Sequence, residues 1–280
     1  MKLRALTALV LIPPVTYLIG WAPEWLFLLV LIAVVERSLY EFVLINRQAG
    51  FRCLPGVAYV AGALLCLAQT SELRAQALGG LVVSAVLLVS ILCILILALA
   101  RLEDLRQYPG TTASTLFAIV YIGLTLSFLV PLRFSPRFSS VGTGRDLTLL
   151  LFLVIWTDDI FAYLVGRRLG RTLLMPRVSP KKTLEGSLGG LAASLLAGWA
   201  FARWFWHPAN LKAAMLLVVL VAVAGQVGDL AESALKRGAD VKDSGTLLPG
   251  HGGLLDRVDS LLFGAPALWV ALSIKDIWPS

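Results

Sequence analysis

Charge is what this chain has least of. Only 15% of its 280 residues are Asp, Glu, Lys or Arg, and 58% are hydrophobic. Soluble domains average about 25% charged and 45–50% apolar residues, so this composition excludes one. Histidine is nearly absent, with only His207 and His251 present, and His207 reads as an interfacial bystander beside Trp206. Cysteine is as scarce. Cys53, Cys66 and Cys93 stand far apart, with no Cys-x-x-Cys or Cys/His zinc spacing, and they read as small buried hydrophobes. There is no repeat, no low-complexity tract and no compact basic domain. The net charge of +7 therefore belongs to loops and argues against a nucleic-acid partner. Strands are not expected either, since an open sheet edge cannot be satisfied in hydrocarbon.

What is there is apolar length. About nine runs, near 4–20, 25–44, 54–69, 77–99, 113–131, 147–166, 186–205, 211–230 and 260–276, approach the roughly 20 residues that cross a bilayer. The pattern predicts an all-α polytopic membrane bundle of about nine transmembrane helices. The first run, broken by Pro13-Pro14 and followed by no small-x-small cleavage site before Trp21, reads as an uncleaved span. Alternating the loops puts most lysine and arginine on one face, including Lys2, Arg4, Arg167, Arg168, Arg171, Lys181, Lys182, Lys236 and Arg237. By the positive-inside rule that face is cytoplasmic. The chain divides into N-terminal membrane helices over 1–130, a scaffold for lipid entry or oligomer contacts, and a polar-motif half over 131–280. Two charged loops of that half, 167–185 and 231–259, share the cytoplasmic face.

The densest polar stretch is Ser233–Ser260. Asp256 and Asp259 are spaced i, i+3, which puts their β-carbons about 5–6 Å apart on one helical face. Two carboxylates so close raise each other's pKa unless a cation lies between them. Oxygen-only ligands favour magnesium or manganese. The alternative is an ordinary first turn whose aspartates complement the helix dipole. Asp229, at membrane depth, costs on the order of 2.5–3.5 kcal/mol to insert. It reads as a third metal ligand, with pairing to Lys236 as the alternative. The Pro249-Gly250-His251-Gly252-Gly253 turn lets backbone amides approach an anion at a helix N-terminus; a plain helix entry is the alternative.

Ser179-Pro180-Lys181-Lys182-Thr183-Leu184-Glu185-Gly186 opens the seventh run. Serine at the N-cap with proline next is a helix-start signature. Paired lysines oppose the dipole there and make sense against a bound polyanion; snorkelling lysines are the alternative. Asp158, Ala162, Gly166 and Gly170 form a small-residue stripe at i+4 spacing, which fits a tight helix contact with one polar group turned inward. Arg167, Arg168 and Arg171 follow it as topology determinants. For Glu36, Arg37 and Glu41, pairing among themselves weighs equally with a functional role.

Residues Ser233, Lys236-Arg237, Lys242-Asp243, Gly245, Pro249, His251-Gly252-Gly253, Asp256-Arg257 and Asp259 together resemble the signature of the phosphatidate cytidylyltransferase, or CDP-diacylglycerol synthase, family. Ser179–Gly186 and the helix from Asp158 to Gly170 resemble it too, so the likeness covers about residues 150–260. Residues 1–130 match in hydropathy only. Thr157 stands where an asparagine is expected, and Leu184 where a tryptophan is.

The resemblance implies a nucleotidyltransferase that joins CTP and phosphatidic acid into CDP-diacylglycerol and pyrophosphate for phospholipid biosynthesis. It implies a multi-pass place in the inner membrane of a bacterium, with the site facing the cytoplasm, and it admits a homodimer. Asp229, Asp256 and Asp259 would hold the metal, magnesium first and manganese second. Lys236, Asp229 and Asp256 would be catalytic. Ser179, Lys181, Lys182, Thr183, Glu185, Ser233, Arg237, Lys242, Asp243, His251, Gly252, Gly253, Arg257 and Asp158 would line the substrates. Among these Asp243, with Ser244, is a candidate for reading the cytosine base.

Two other classes stay open. A CTP-dependent enzyme acting on an isoprenoid ether lipid or a polyprenol would carry a similar nucleotide site. A transporter would show matched broken helices in its two halves, whereas the polar residues here cluster in one half.

Overall fold

A computed structural model describes residues 12–76, 78–135, 143–208, 210–247 and 252–274. Lys2, Arg4, Pro249, Gly250 and His251 lie outside the described residues. Helix α1 covers 12–20, α2 Glu24–Gln48, α3 Pro55–Ala68, α4 Ser71–Ala75 and α5 Gly79–Arg101. Helix α6 spans Leu105–Phe134 through a π turn at Ile119–Leu124. Then come α7 (Gly144–Leu169), strands β1 (Leu173–Met175) and β2 (Ser179–Thr183), α8 (Leu184–Phe201), α9 (Leu211–Gly238) and α10 (Leu255–Ser273).

Among the described residues 4 helices are long and apolar enough to cross a membrane: α5, α6, α7 and α9. Helix α3 is apolar but shorter, at 14 residues. Helix α2 has 25 residues, but Glu24, Glu36, Arg37, Glu41 and Arg47 interrupt its apolar face. The protein is thus a helical membrane protein. The cysteines are free thiols, Cys66 buried and Cys53 and Cys93 half-buried.

The expectation of no strands is corrected. Strands β1 and β2 form an antiparallel hairpin, with Leu173 opposite Thr183 and Met175 opposite Ser179. The hairpin lies in the charged segment between two apolar runs, and open sheet edges are not tolerated where they face lipid.

The chain forms two compact units. One comprises Met1–Phe134 with Leu235–Val258, and the other Ser135–Ala234 with Asp259–Ser280. The motif segment Leu235–Val258 belongs to the same unit as the N-terminal helices. In the first unit the core gathers Leu31, Val35, Leu39 and Phe42 of α2, Leu65 of α3, and Ile119, Ile122 and Leu126 of α6, all buried. That is one stripe of α2 at i, i+4, i+8 and i+11.

In the second unit α7 and α8 pack as the small-residue stripe predicts. A β-carbon at Gly186 would stand 2.7 Å from the Ala162 carbonyl oxygen, and one at Gly190 2.8 Å from that of Asp158. Only glycine lets the backbones approach so closely, and in lipid that dispersion contact replaces the hydrophobic drive. Ser194 adds a hydroxyl bond to the Val154 carbonyl at 3.0 Å. Replacing Gly190 with alanine is expected to destabilise the protein by about 1–3 kcal/mol through overpacking. Gly56→Ala, where no atom lies within 4 Å of the added carbon, should leave thermal unfolding in detergent nearly unchanged.

Candidate active site

In the first unit the site residues meet around Asp256, in the first turn of α10. Its Oδ1 pairs with the Lys236 ammonium. Its Oδ2 accepts from the Gly253 amide at 2.8 Å and the Ser244 amide at 3.0 Å, and lies 3.0 Å from the Ser244 hydroxyl. Lys236 is itself buried, near the C-terminus of α9, where a cation also suits the helix dipole. The glycine turn is needed sterically. Gly252 has φ of 78°, and a β-carbon there would lie 2.5 Å from Asp256 Oδ2. The Gly253 amide, a phosphate donor by the sequence pattern, donates here to Asp256.

Burial pushes the Asp256 carboxyl up. The Lys236 ammonium and the Gly253 and Ser244 donors outweigh it, holding the group below its ordinary value. Ser244 is buried against carboxylates, so its hydroxyl is not presented to a base; Asp243 and Lys242 are exposed. Arg257 is exposed, and Arg237 donates to the Val241 carbonyl at 3.0 Å, closing the end of α9.

Sequence spacing missed the residue that holds this turn. Glu41 of α2 is fully buried. It accepts from the Leu254 amide at 3.0 Å, the Leu255 amide at 2.8 Å and the Ser244 hydroxyl at 2.9 Å, and pairs with Arg37 at 3.2 Å. Self-pairing of Arg37 and Glu41 is therefore real but is the smaller part of the role. Only the intramembrane position of the carboxylate signalled it.

In the second unit Lys182 pairs with Asp229, and the Ser233 hydroxyl stands 3.5 Å from Asp229 Oδ1. The helix start is corrected. Ser179 lies on β2, and the cap passes to Thr183, whose hydroxyl accepts from the Gly186 amide at 3.1 Å. The hairpin takes the Ser179 backbone, and the Thr183 φ of −119° and ψ of 153° suit a cap. Lys181 is exposed on the hairpin.

Glu185 turns back onto the Arg171 and Thr172 amides at 3.0 and 3.1 Å, and these donors hold its carboxyl down to about 2. Asp158 is buried and accepts from Gln226 at 2.9 Å. Gln226 also binds Ser187, through that residue's hydroxyl and carbonyl. Gln226 and Ser187 carry no motif and were not legible. Asp259 is half-buried, with Asp229, Glu232 and Asp159 as charged neighbours, and accepts from the Ser260 amide at 2.7 Å.

Hard oxygen donors are the right kind for magnesium. Yet among the described residues no three His, Cys, Asp or Glu side chains are gathered as a metal ion needs. Two of the three aspartates already hold lysine ammonium groups. As they stand, the residues do not fit a resident metal.

A helical membrane protein with ammonium–carboxylate pairs at its polar ends suits the handling of anionic substrates, as in membrane-bound nucleotidyltransferases. The model of the cytidylyltransferase family matches residues 2–275, and the chain belongs to that family. It is 32% identical over 276 residues to the phosphatidate cytidylyltransferase of Staphylococcus haemolyticus, covering 97% of this chain and 99% of that one. It is 36% identical over 274 residues to that of Brucella abortus, covering 96% and 92%. Over 127 residues, 45% of this chain and 43% of the other, it is 50% identical to that of Synechocystis.

A carboxyl with a depressed folded pKa stabilises above its unfolded value, about 3.9, and the gain is lost as pH falls through the folded value. The gap in Tm between the protein and Asp256→Asn in detergent should therefore be level from about pH 8 to 5 and close below about pH 4. A gap that widened in acid would contradict the pairing.

Proposed function

We infer that the chain is a phosphatidate cytidylyltransferase: it transfers the cytidylyl group of CTP to phosphatidic acid, giving CDP-diacylglycerol and pyrophosphate. The observation that carries this is full-length similarity to phosphatidate cytidylyltransferases, whose names state the reaction. In the proposed chemistry a lipid phosphate oxygen bonds to the α-phosphorus of CTP, and the bond from that phosphorus to the pyrophosphate oxygen breaks. The nucleophile is a phosphate monoester with a second pKa near 6, by analogy with phosphoserine. It is already ionised at neutral pH, so no strong base is required. Catalysis then consists of aligning two polyanions and neutralising their repulsion.

Lys236 is proposed to stabilise the reacting phosphoryl group, and Lys181 and Lys182 to hold phosphate. Both Lys182 and Lys236 already sit on carboxylates, so each can exchange one anion for another. Asp229, Asp256 and Asp259 are proposed to take magnesium, or manganese, only once substrate phosphates draw those lysines away. Acyl chains are proposed to lie between helices. A cavity of about 640 Å³ between α3 and α5, lined by apolar residues such as Val57, Val60, Leu64 and Val86 with Arg101 at its rim, is suited to one. The reading includes about nine membrane crossings, a cytoplasmic site in the inner membrane of a bacterium, and a homodimer.

Purified protein with labelled CTP and phosphatidic acid should release CDP-diacylglycerol and pyrophosphate in equal amounts, and only with magnesium or manganese present. Product from an isoprenoid lipid but not from phosphatidic acid would move the assignment to that substrate. Lys236→Met is expected to lower kcat by roughly 100- to 1000-fold, the usual cost of removing a donor to developing charge. Lys182→Ala should raise KM for at least one substrate by roughly tenfold; unchanged kinetics would leave Lys182 a surface-seeking lysine.

A further inference from the structure

The Glu41 carboxylate lies far in sequence from the motif segment, yet it touches three groups of that segment. Two are the Leu254 and Leu255 amides at the start of α10, donors that a helix leaves unpaired. The third is the Ser244 hydroxyl, 2.9 Å from Glu41 and 3.0 Å from Asp256. The Ser244 hydroxyl has one hydrogen and two carboxylates to serve. Asp256 keeps the Ser244 and Gly253 amides whichever way the hydroxyl turns.

The result is an alternating run in the first unit: Arg37, Glu41, Ser244, Asp256, Lys236. The turn fits closely around it. A β-carbon on Gly253 would lie 2.2 Å from Glu41 Oε2 and 2.1 Å from the Ser244 hydroxyl, and one on Gly245 would lie 2.8 Å from Glu41 Oε1.

We propose that Glu41 is a positioning residue for the transferase reaction. It caps α10 from another helix and, through Ser244, fixes the carboxylate that aims the Lys236 ammonium. The proposal rests on the reading of Asp256 and Lys236 as working parts of the site. A buried carboxylate with four partners is a stiff support, and a shift of about 1 Å at a reacting group costs up to roughly 100-fold in rate. A group that only stabilised the fold would lower Tm and the yield of folded protein, and would leave kcat per folded molecule alone.

The test compares Glu41→Gln, Ser244→Ala and the double variant, each as the monodisperse detergent-purified full chain, with CTP and phosphatidic acid. Glutamine keeps the size of Glu41 but turns an amide donor toward backbone donors. Serine-to-alanine removes the bridge, together with the 3.3 Å bond that the Asp256 amide donates to that hydroxyl, and leaves the other backbone bonds of the turn in place. Each single variant is expected to lose roughly 10- to 100-fold in kcat, with KM for CTP within about twofold, as for a group that touches no substrate. The double variant should fall no further than the worse single, because both act through Asp256.

Full kcat per folded molecule in Ser244→Ala would overturn the proposal, even if Glu41→Gln fails to fold. Losses that multiply in the double variant would overturn it too, since the two would then act independently. If Asp256→Asn and Lys236→Met both turn over normally, the reading of the site itself fails. If those two abolish turnover while Glu41→Gln and Ser244→Ala do not, only the positioning role is lost.

Discussion

A charge taken out of water must find its partners inside the protein, and for Glu41 and Asp256 those partners are identifiable. The cost of leaving a buried carboxylate unmatched is several kcal/mol, comparable to a large part of a domain's net stability. Glu41 meets that cost with two backbone amides, one hydroxyl and one guanidinium. Asp256 meets it with two amides, the same hydroxyl and one ammonium. Because Ser244 serves both, neither carboxylate is placed without the other. The start of α10, the glycine turn and the end of α9 are therefore parts of one polar assembly, with the apolar stripe of α2 packed beside it.

The second unit answers the same constraint differently. There α7 and α8 meet through glycine, and a buried carboxylate, Asp158, lies beside Gly190. Its partner is an uncharged amide, Gln226, itself held by Ser187. Close packing and polar satisfaction are coupled: a larger residue at Gly190 would displace the aspartate that the network serves. The hairpin then hands the chain to α8 through Thr183, while Glu185 secures the Arg171 and Thr172 amides. The loop is thus ordered by local donors and acceptors.

Much of this was legible. The Asp158–Gly170 stripe announced a tight helix contact, because small residues at i+4 spacing have few other uses in a membrane. Asp256 and Lys236 stood out as charges between apolar runs. The hairpin was not legible, since β1 is three apolar residues and β2 five mostly polar ones, too short to show an alternation. The helix cap was misplaced from Ser179 to Thr183 for the same reason: both are good caps locally, and only strand pairing at Ser179 decides between them. Glu41 was marked only by its charge within an apolar run and Gln226 by nothing, because each acts on groups brought near by folding rather than by spacing.

Local chemistry, then, determined that this is a helical membrane protein and where its polar motifs lie. Hydrophobic length, residue size and charge are properties of the chain itself. Which carboxylate receives which donor was decided only in three dimensions. A hydrogen bond depends on a few tenths of an ångström between atoms that can be about 200 residues apart, as with Glu41 and Ser244, and no run of neighbouring residues encodes that distance.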